Sequence, residues 1–215
     1  MVVKGAHYIV VEGPLGAGKT TLARLLAEEF EARAVLEQVE ENPFLRKFYD
    51  DPPAYAFQTQ LFFLLSRYRQ QRALAQQDLF NQHTVADYLF AKDQIFAQAN
   101  LPADELALYR QLFGLLNSRL PKPDLVVYLQ ARGDVLMERL RRRDREYERR
   151  IASEYVERIA EAYRNFFFHY EETPLLVVNS SDVDFVSRPE DLADLIREIR
   201  SMGQGVQHYI PLGSK

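Results

Sequence analysis

Gly13-Pro14-Leu15-Gly16-Ala17-Gly18-Lys19-Thr20 is the stretch whose reading decides the fold of this 215-residue chain. It has the form GxxxxGKT. The apolar run Tyr8-Ile9-Val10-Val11 before it predicts a buried strand, and the amphipathic run Thr21–Glu31 after it predicts a helix. Strand, glycine loop and helix in that order build an anion cradle. Glycine lets backbone N–H groups approach phosphate oxygens, and the helix N-terminus adds positive potential. Lys19 would reach the β- and γ-phosphates, and the Thr20 hydroxyl would ligate Mg²⁺. A chance glycine-rich turn would not carry both flanking elements. Gly13, Pro14, Leu15, Gly16, Ala17, Gly18, Lys19, Thr20 and Thr21 are therefore the expected triphosphate contacts.

Outward from this loop, short apolar runs predict strands at Tyr8–Val11, Ala34–Leu36, Thr84–Ala86, Leu125–Leu129 and Leu175–Val178. Helical patterns lie between them at Tyr55–Gln77, Tyr88–Ala99, Ala103–Arg119, Gly133–Arg142 and Ser153–Tyr170, with a last one at Pro189–Ser201. Strands alternating with helices predict an α/β fold with a five-stranded parallel sheet covered by helices on both faces. One domain is expected over residues 1–202, and the tail Gly203–Lys215 is expected to be loose. Ligands of such sheets bind at the carboxyl ends of strands. Gly13, Glu37, Asp87 and Asn179 each follow a predicted strand and should converge on one cleft.

Composition narrows the classes. The chain is 47% hydrophobic and lacks cysteine, so it has no disulfide and no thiol nucleophile. No signal-peptide pattern and no apolar run of membrane-spanning length is seen, and a cytoplasmic protein is expected. A net charge of −4 gives no general nucleic-acid surface. One local exception stands out. Seven arginines (Arg139, Arg141, Arg142, Arg143, Arg145, Arg149 and Arg150) fall within twelve residues, more than a solvated helix end requires. Guanidinium groups bind phosphate oxygens bidentately, so a mobile lid over about 141–152 is the preferred reading.

Asp87 sits at a strand tip near the phosphate loop, where an NTPase needs a carboxylate for Mg²⁺. A helix N-cap is the plainer alternative. Glu37 ends the second strand and could take a proton from an attacking hydroxyl, although from the residues alone a solvated loop glutamate explains it as well. Gln60 and Arg67, seven apart, share one helix face in an aromatic segment. An amide among rings can read a base edge, and a buried structural Gln is the simpler account.

Taken together these motifs resemble the deoxynucleoside kinase family, P-loop kinases with an arginine-rich lid. The resemblance runs from about Tyr8 to Phe185. Glu12 to Thr20 is similar to the family's opening loop. Asn42-Pro43-Phe44-Leu45 with Phe48-Tyr49 is similar to its bacterial purine branch, and Val85-Ala86-Asp87-Tyr88-Leu89-Phe90 to the acidic motif after strand three. The resemblance implies ATP and Mg²⁺ with a deoxynucleoside acceptor, and a homodimer paired through long helices. It implies Glu37 near the 5′-hydroxyl, Tyr49 and Glu148 at the 3′-hydroxyl, and Gln60 on the base. Arg67, Tyr88 and Asp93 would complete the substrate side. Arg139, Arg143 and Arg145 would hold phosphates, with Asp184 and Phe185 at the donor adenine. Lys19, Glu37, Asp87, Arg143 and Arg145 would be the catalytic set, and Thr20 with Asp87 the metal pair. The choice of base between Glu37 and Asp87 stays open, with the lean toward Glu37.

Two positions depart from the pattern: Tyr88 where many relatives have Arg, and Gln38 where many have Pro. The expected reaction is transfer of the ATP γ-phosphate to the 5′-hydroxyl of deoxyguanosine or deoxyadenosine. The alternatives are a nucleoside monophosphate kinase of the thymidylate type and a nucleotide-dependent switch. The switch would need an NKxD or DxxG loop, and neither is found.

Overall fold

The computed structural model describes residues 7–76, 83–118 and 120–210. Among them six strands pair in parallel, in the order β2-β3-β1-β4-β5-β6. These are β1 (Tyr8–Glu12), β2 (Arg33–Val35), β3 (Thr84–Ala86), β4 (Leu125–Gln130), β5 (Leu175–Asn179) and β6 (Val206–Tyr209). The helices are α1 (Lys19–Glu29), α2 (Leu45–Asp50), α3 (Pro52–Gln76), α4 (Lys92–Asn100), α5 (Ala103–Asn117), α6 (Gly133–Arg143), α7 (Ser153–Phe168) and α8 (Pro189–Ser201).

β1 lies in the middle of the sheet, and its sequence explains why. Every residue from Tyr8 to Glu12 is buried. A parallel strand covered on both faces reads as an unbroken apolar run. Its alternate residues serve opposite layers. Ile9 and Val11 pack with Leu22 and Leu26 of α1, Leu136 of α6 and Leu195 and Ile199 of α8. Tyr8 and Val10 pack with Ile159, Tyr163 and Phe167 of α7 and Ile95 of α4.

A third apolar cluster joins α2 to α5 through Leu45, Phe48, Leu64, Phe90, Tyr109 and Phe113. Much of the aromatic segment is spent here. Down the buried side of α3 run Ala56, Thr59, Gln60, Leu64, Arg67, Gln71 and Leu74, in steps of three or four except for the adjacent Thr59 and Gln60. That stripe is apolar at its ends and mixes polar residues with Leu64 between them, so the helix carries Gln60 and Arg67 inward.

The sheet has a sixth strand where five were expected. Val206-Gln207-His208-Tyr209 pairs with β5 from inside the segment expected to be loose. It is a short edge strand, exposed along most of its length, so it lacks the apolar run that marked the other strands. The helix expected from Tyr88 starts at Lys92, because Asp87 to Ala91 form a turn whose groups serve the site. The expected helix ends at Gln77 and Arg119, and the tail end 211–215, lie outside the described residues. No helix among the described residues is long and apolar enough to cross a membrane.

Candidate active site

The loop between β1 and α1 depends on glycine at two places. Gly16 and Gly18 have φ of +81° and +96°, a region that favours glycine. A Cβ at Gly18 would also lie 2.9 Å from the Phe185 ring. The Lys19 ammonium donates to the carbonyls of Gly13 at 2.7 Å and Pro14 at 3.1 Å. Burial, and after it the charge of Lys92, pushes Lys19 down to about 8.

A run of polar contacts leads away from α1. The Thr20 hydroxyl donates to Asp87 Oδ2 at 2.5 Å, and the Glu37 N–H donates to Asp87 Oδ1 at 2.7 Å. Both Asp87 oxygens therefore face the loop and strand ends, and neither caps a helix. The Glu37 carboxylate is held on both oxygens. Arg67 bonds Oε1, with Nε at 2.9 Å, and Lys92 Nζ bonds Oε2 at 2.7 Å. Arg67 also pairs with Asp93 and lies 4.8 Å from the centre of the Phe63 ring. Burial alone would push the Glu37 carboxyl up. The Arg67 and Lys92 charges outweigh it and hold Glu37 well below the usual carboxylate range. Lys92 was not singled out from the sequence. It reads there as an ordinary surface lysine at a helix start.

Glu12 is a second residue missed as a functional group, although it opens the loop motif. It is completely buried, and its carboxylate accepts from the Gly13 N–H at 2.8 Å, the Leu89 N–H at 2.7 Å and the Tyr163 hydroxyl at 3.1 Å. It joins the loop after β1 to the turn after β3.

On the acceptor side, Gln60 is buried and its side chain makes no hydrogen bond among the described residues. Asp93 is fully buried, with Oδ1 on Arg67 and Oδ2 unpaired. Tyr88 is inside the core beside Tyr8 and Val10. Tyr49 stacks on Tyr147 at 6.2 Å, and burial pushes its phenol well up.

The arginine segment forms a second group. Arg143, the last residue of α6, grips the buried Glu148 in a fork, with Nε to Oε2 at 3.0 Å. Arg145 donates to the Tyr147 hydroxyl at 2.9 Å and pairs with Glu40 at 3.1 Å, which ties this group to the loop after Glu37. Arg142, Arg149 and Arg150 make exposed pairs with Glu138, Asp144 and Asp50. A cavity of about 240 Å³ lies under this segment, lined by Met137, Leu140, Arg145 and Glu148 among others.

Arg139 belongs to a third group. It donates to the Ser180 carbonyl at 2.7 Å and reaches that of Val183 at 3.4 Å, bracing the loop that carries Asp184 and Phe185. The Asp184 carboxylate accepts from the N–H groups of Val186 and Ser187 and shapes its own turn. Phe185 is the member of that pair that meets the phosphate loop. Asn179 does not join Gly13, Glu37 and Asp87. Its side chain accepts from the Ser181 N–H, and it lines a cavity of about 330 Å³ beside His208 and Tyr209.

A glycine anion cradle at the carboxyl edge of a parallel sheet, with a carboxylate and hydroxyl beside it and an arginine segment nearby, defines a P-loop kinase fold. The family profile described as deoxynucleoside kinase matches residues 9–203, and the chain belongs to that family. It is 34% identical to a deoxyguanosine kinase of Bacillus subtilis over 202 residues, covering 92% of this chain and 98% of that one. It is 33% identical to a deoxyadenosine kinase of Dictyostelium discoideum, covering 93% and 82%. Its fold is similar to a deoxyadenosine kinase from M. mycoides solved with bound dCTP, with a TM-score of 0.77 at 23% identity, covering 90% and 98%.

Proposed function

We propose that this chain transfers the γ-phosphate of ATP to the 5′-hydroxyl of a purine deoxynucleoside, deoxyguanosine or deoxyadenosine. Relatives named for those two activities, alike over nearly their whole length, support the substrate class. The observation that carries the chemistry is the continuous contact from Thr20 through Asp87 to Glu37 beside the phosphate loop.

In this reading the 5′-oxygen bonds to the γ-phosphorus as the bond from that phosphorus to the β,γ-bridging oxygen breaks. ADP leaves and the hydroxyl proton passes to a carboxylate. Glu37 takes that role, because it is held ionised by Arg67 and Lys92 while Asp87 is engaged by Thr20. Its low basicity suits a loose phosphoryl transition state, in which the hydroxyl proton leaves late. Lys19, Arg143 and Arg145 spread the charge on the transferring group. Phe185 packs at the donor end.

The Thr20 hydroxyl and Asp87 carboxylate are hard oxygen donors, 2.5 Å apart. One of each beside a phosphate loop fits Mg²⁺, which takes few protein ligands and keeps waters. When bound, the ion neutralises charge on the β- and γ-oxygens. Gln60 offers an amide not used by the protein, which supports base recognition. Tyr49 and Glu148 crowd the sugar edge and select deoxyribose.

Leu65 of α3 and Leu108 and Leu115 of α5 are exposed, which supports a homodimer through these helices. Light scattering on the purified protein tests that state. A cytoplasmic location goes with this reading.

The deciding assay measures ATP consumption with each of the four deoxynucleosides and each monophosphate. Turnover of deoxyguanosine or deoxyadenosine supports the reading. Faster turnover of a monophosphate would make it a nucleotide kinase, and activity on pyrimidine deoxynucleosides alone would overturn the base assignment.

A further inference from the structure

Lys92 stands in an unfavourable place. It is buried, with its side chain 5% exposed, and it opens α4, where the helix dipole disfavours a cation. Burial also penalises an ammonium group. Neither helix stability nor packing accounts for a lysine there. Its ion pair with Glu37 compensates for both, and its Nζ lies over the Phe96 ring, 5.8 Å from the ring centre.

Four side chains close a ring of alternating charge: Glu37 to Arg67, Arg67 to Asp93, then along the backbone to Lys92, and Lys92 back to Glu37. Arg67 is fixed by Asp93 and by the Phe63 ring, so it holds Oε1 at a set point. One fixed point leaves a carboxylate free to turn about it. A second, on Oε2, sets its plane.

We propose that Lys92 is a positioning residue for phosphoryl transfer, fixing the Glu37 carboxylate in the plane that meets the acceptor hydroxyl. This assignment rests on the kinase reading above and deepens it. A lysine that only balanced the charge of Asp93 and Glu37 would affect folding and leave turnover in the folded protein alone.

The test compares Lys92→Met, Lys92→Gln and Lys92→Arg with the wild type, using ATP and whichever deoxynucleoside the wild type turns over best. Met keeps an unbranched chain without charge, Gln keeps a hydrogen bond without charge, and Arg keeps the charge. The expected result is a kcat lower by about 10²-fold in Lys92→Met, as for a displaced catalytic group. The nucleoside KM should stay within about 3-fold, and Lys92→Arg should recover at least about tenfold of the loss. Lys92→Met or Lys92→Gln at more than half the wild-type kcat would overturn the proposal. So would equal losses in Met and Arg, or a change confined to KM. If Lys92→Met melts below the assay temperature, Lys92→Gln and Lys92→Arg decide by the same criteria. A wild type inactive on every deoxynucleoside would instead defeat the kinase reading, and this assignment with it.

Discussion

Two regions of the molecule hold their charges in opposite ways. Around Glu37, the side chains of Arg67, Asp93 and Lys92 are at most 10% exposed, and each charge has a partner within the ring. In the arginine segment, Arg142, Arg149 and Arg150 are more than 60% exposed and pair with neighbours of similar exposure. Removing one partner from a buried pair costs about 3–5 kcal/mol, while a surface pair is worth roughly 0–1 kcal/mol. The ring is therefore a rigid fitting, and the exposed pairs of the segment add little to stability. Arg143 lies between the two, 38% exposed while its partner Glu148 is 4% exposed. Its guanidinium is therefore partly open to solvent, while the carboxylate it grips is not.

The sharpest break of this contrast is Glu37→Gln. It should lower kcat by about 10²–10⁴-fold, the usual worth of a general base, as read by steady-state kinetics. A rate near wild type would move the base role to Asp87. Arg143→Ala should lower kcat by about 10²–10³-fold, as for loss of one charge-stabilising donor. Thermal melting should move far less, and a large drop in melting temperature with normal turnover would make Arg143 a structural strut. Arg67→Leu should lower both kcat, because it frees Oε1 of Glu37, and stability. It leaves Asp93 buried and unpaired, at about 3–5 kcal/mol, or roughly 10 °C in Tm for a chain of this size. Arg149→Ala, on the exposed side, should change neither melting nor kcat measurably.

A graded effect is expected in acid. Glu37 has a folded-state pKa below its ordinary 4.5, so its charge adds stability above about 4.5, lost as pH falls through the lower folded value. The gap in Tm between wild type and Glu37→Gln should narrow as pH drops from about 5 toward about 3. A gap that stays constant would mean that the ion pairs do not favour the ionised form.

Much of this was legible in the residues because a parallel α/β sheet brings its strand ends together. Gly13, Glu37 and Asp87 each follow a strand, and the fold collects them. The helix period of α3 put Gln60 and Arg67 on one buried face. Lys92 escaped because nothing in its neighbours distinguishes a buried lysine from a solvated one. Its meaning comes from Glu37, 55 positions away, across the sheet order. Asn179 obeyed the strand-end rule in sequence but lies on the far side of β4, where its side chain serves a local turn. β6 carries two polar residues, Gln207 and His208, between Val206 and Tyr209. Such a short pattern, with no period-2 alternation, becomes a strand only when β5 offers it an open edge.

Glu12 has a consequence beyond its own contacts. One carboxylate clasps the start of the nucleotide cradle and the turn that follows Asp87, so donor and acceptor ends rest on a common foundation. In the proposed reading the two ends of the reaction are tied through Glu12 and not through Gln60, so a change at Gln60 would alter the base taken and leave that tie intact.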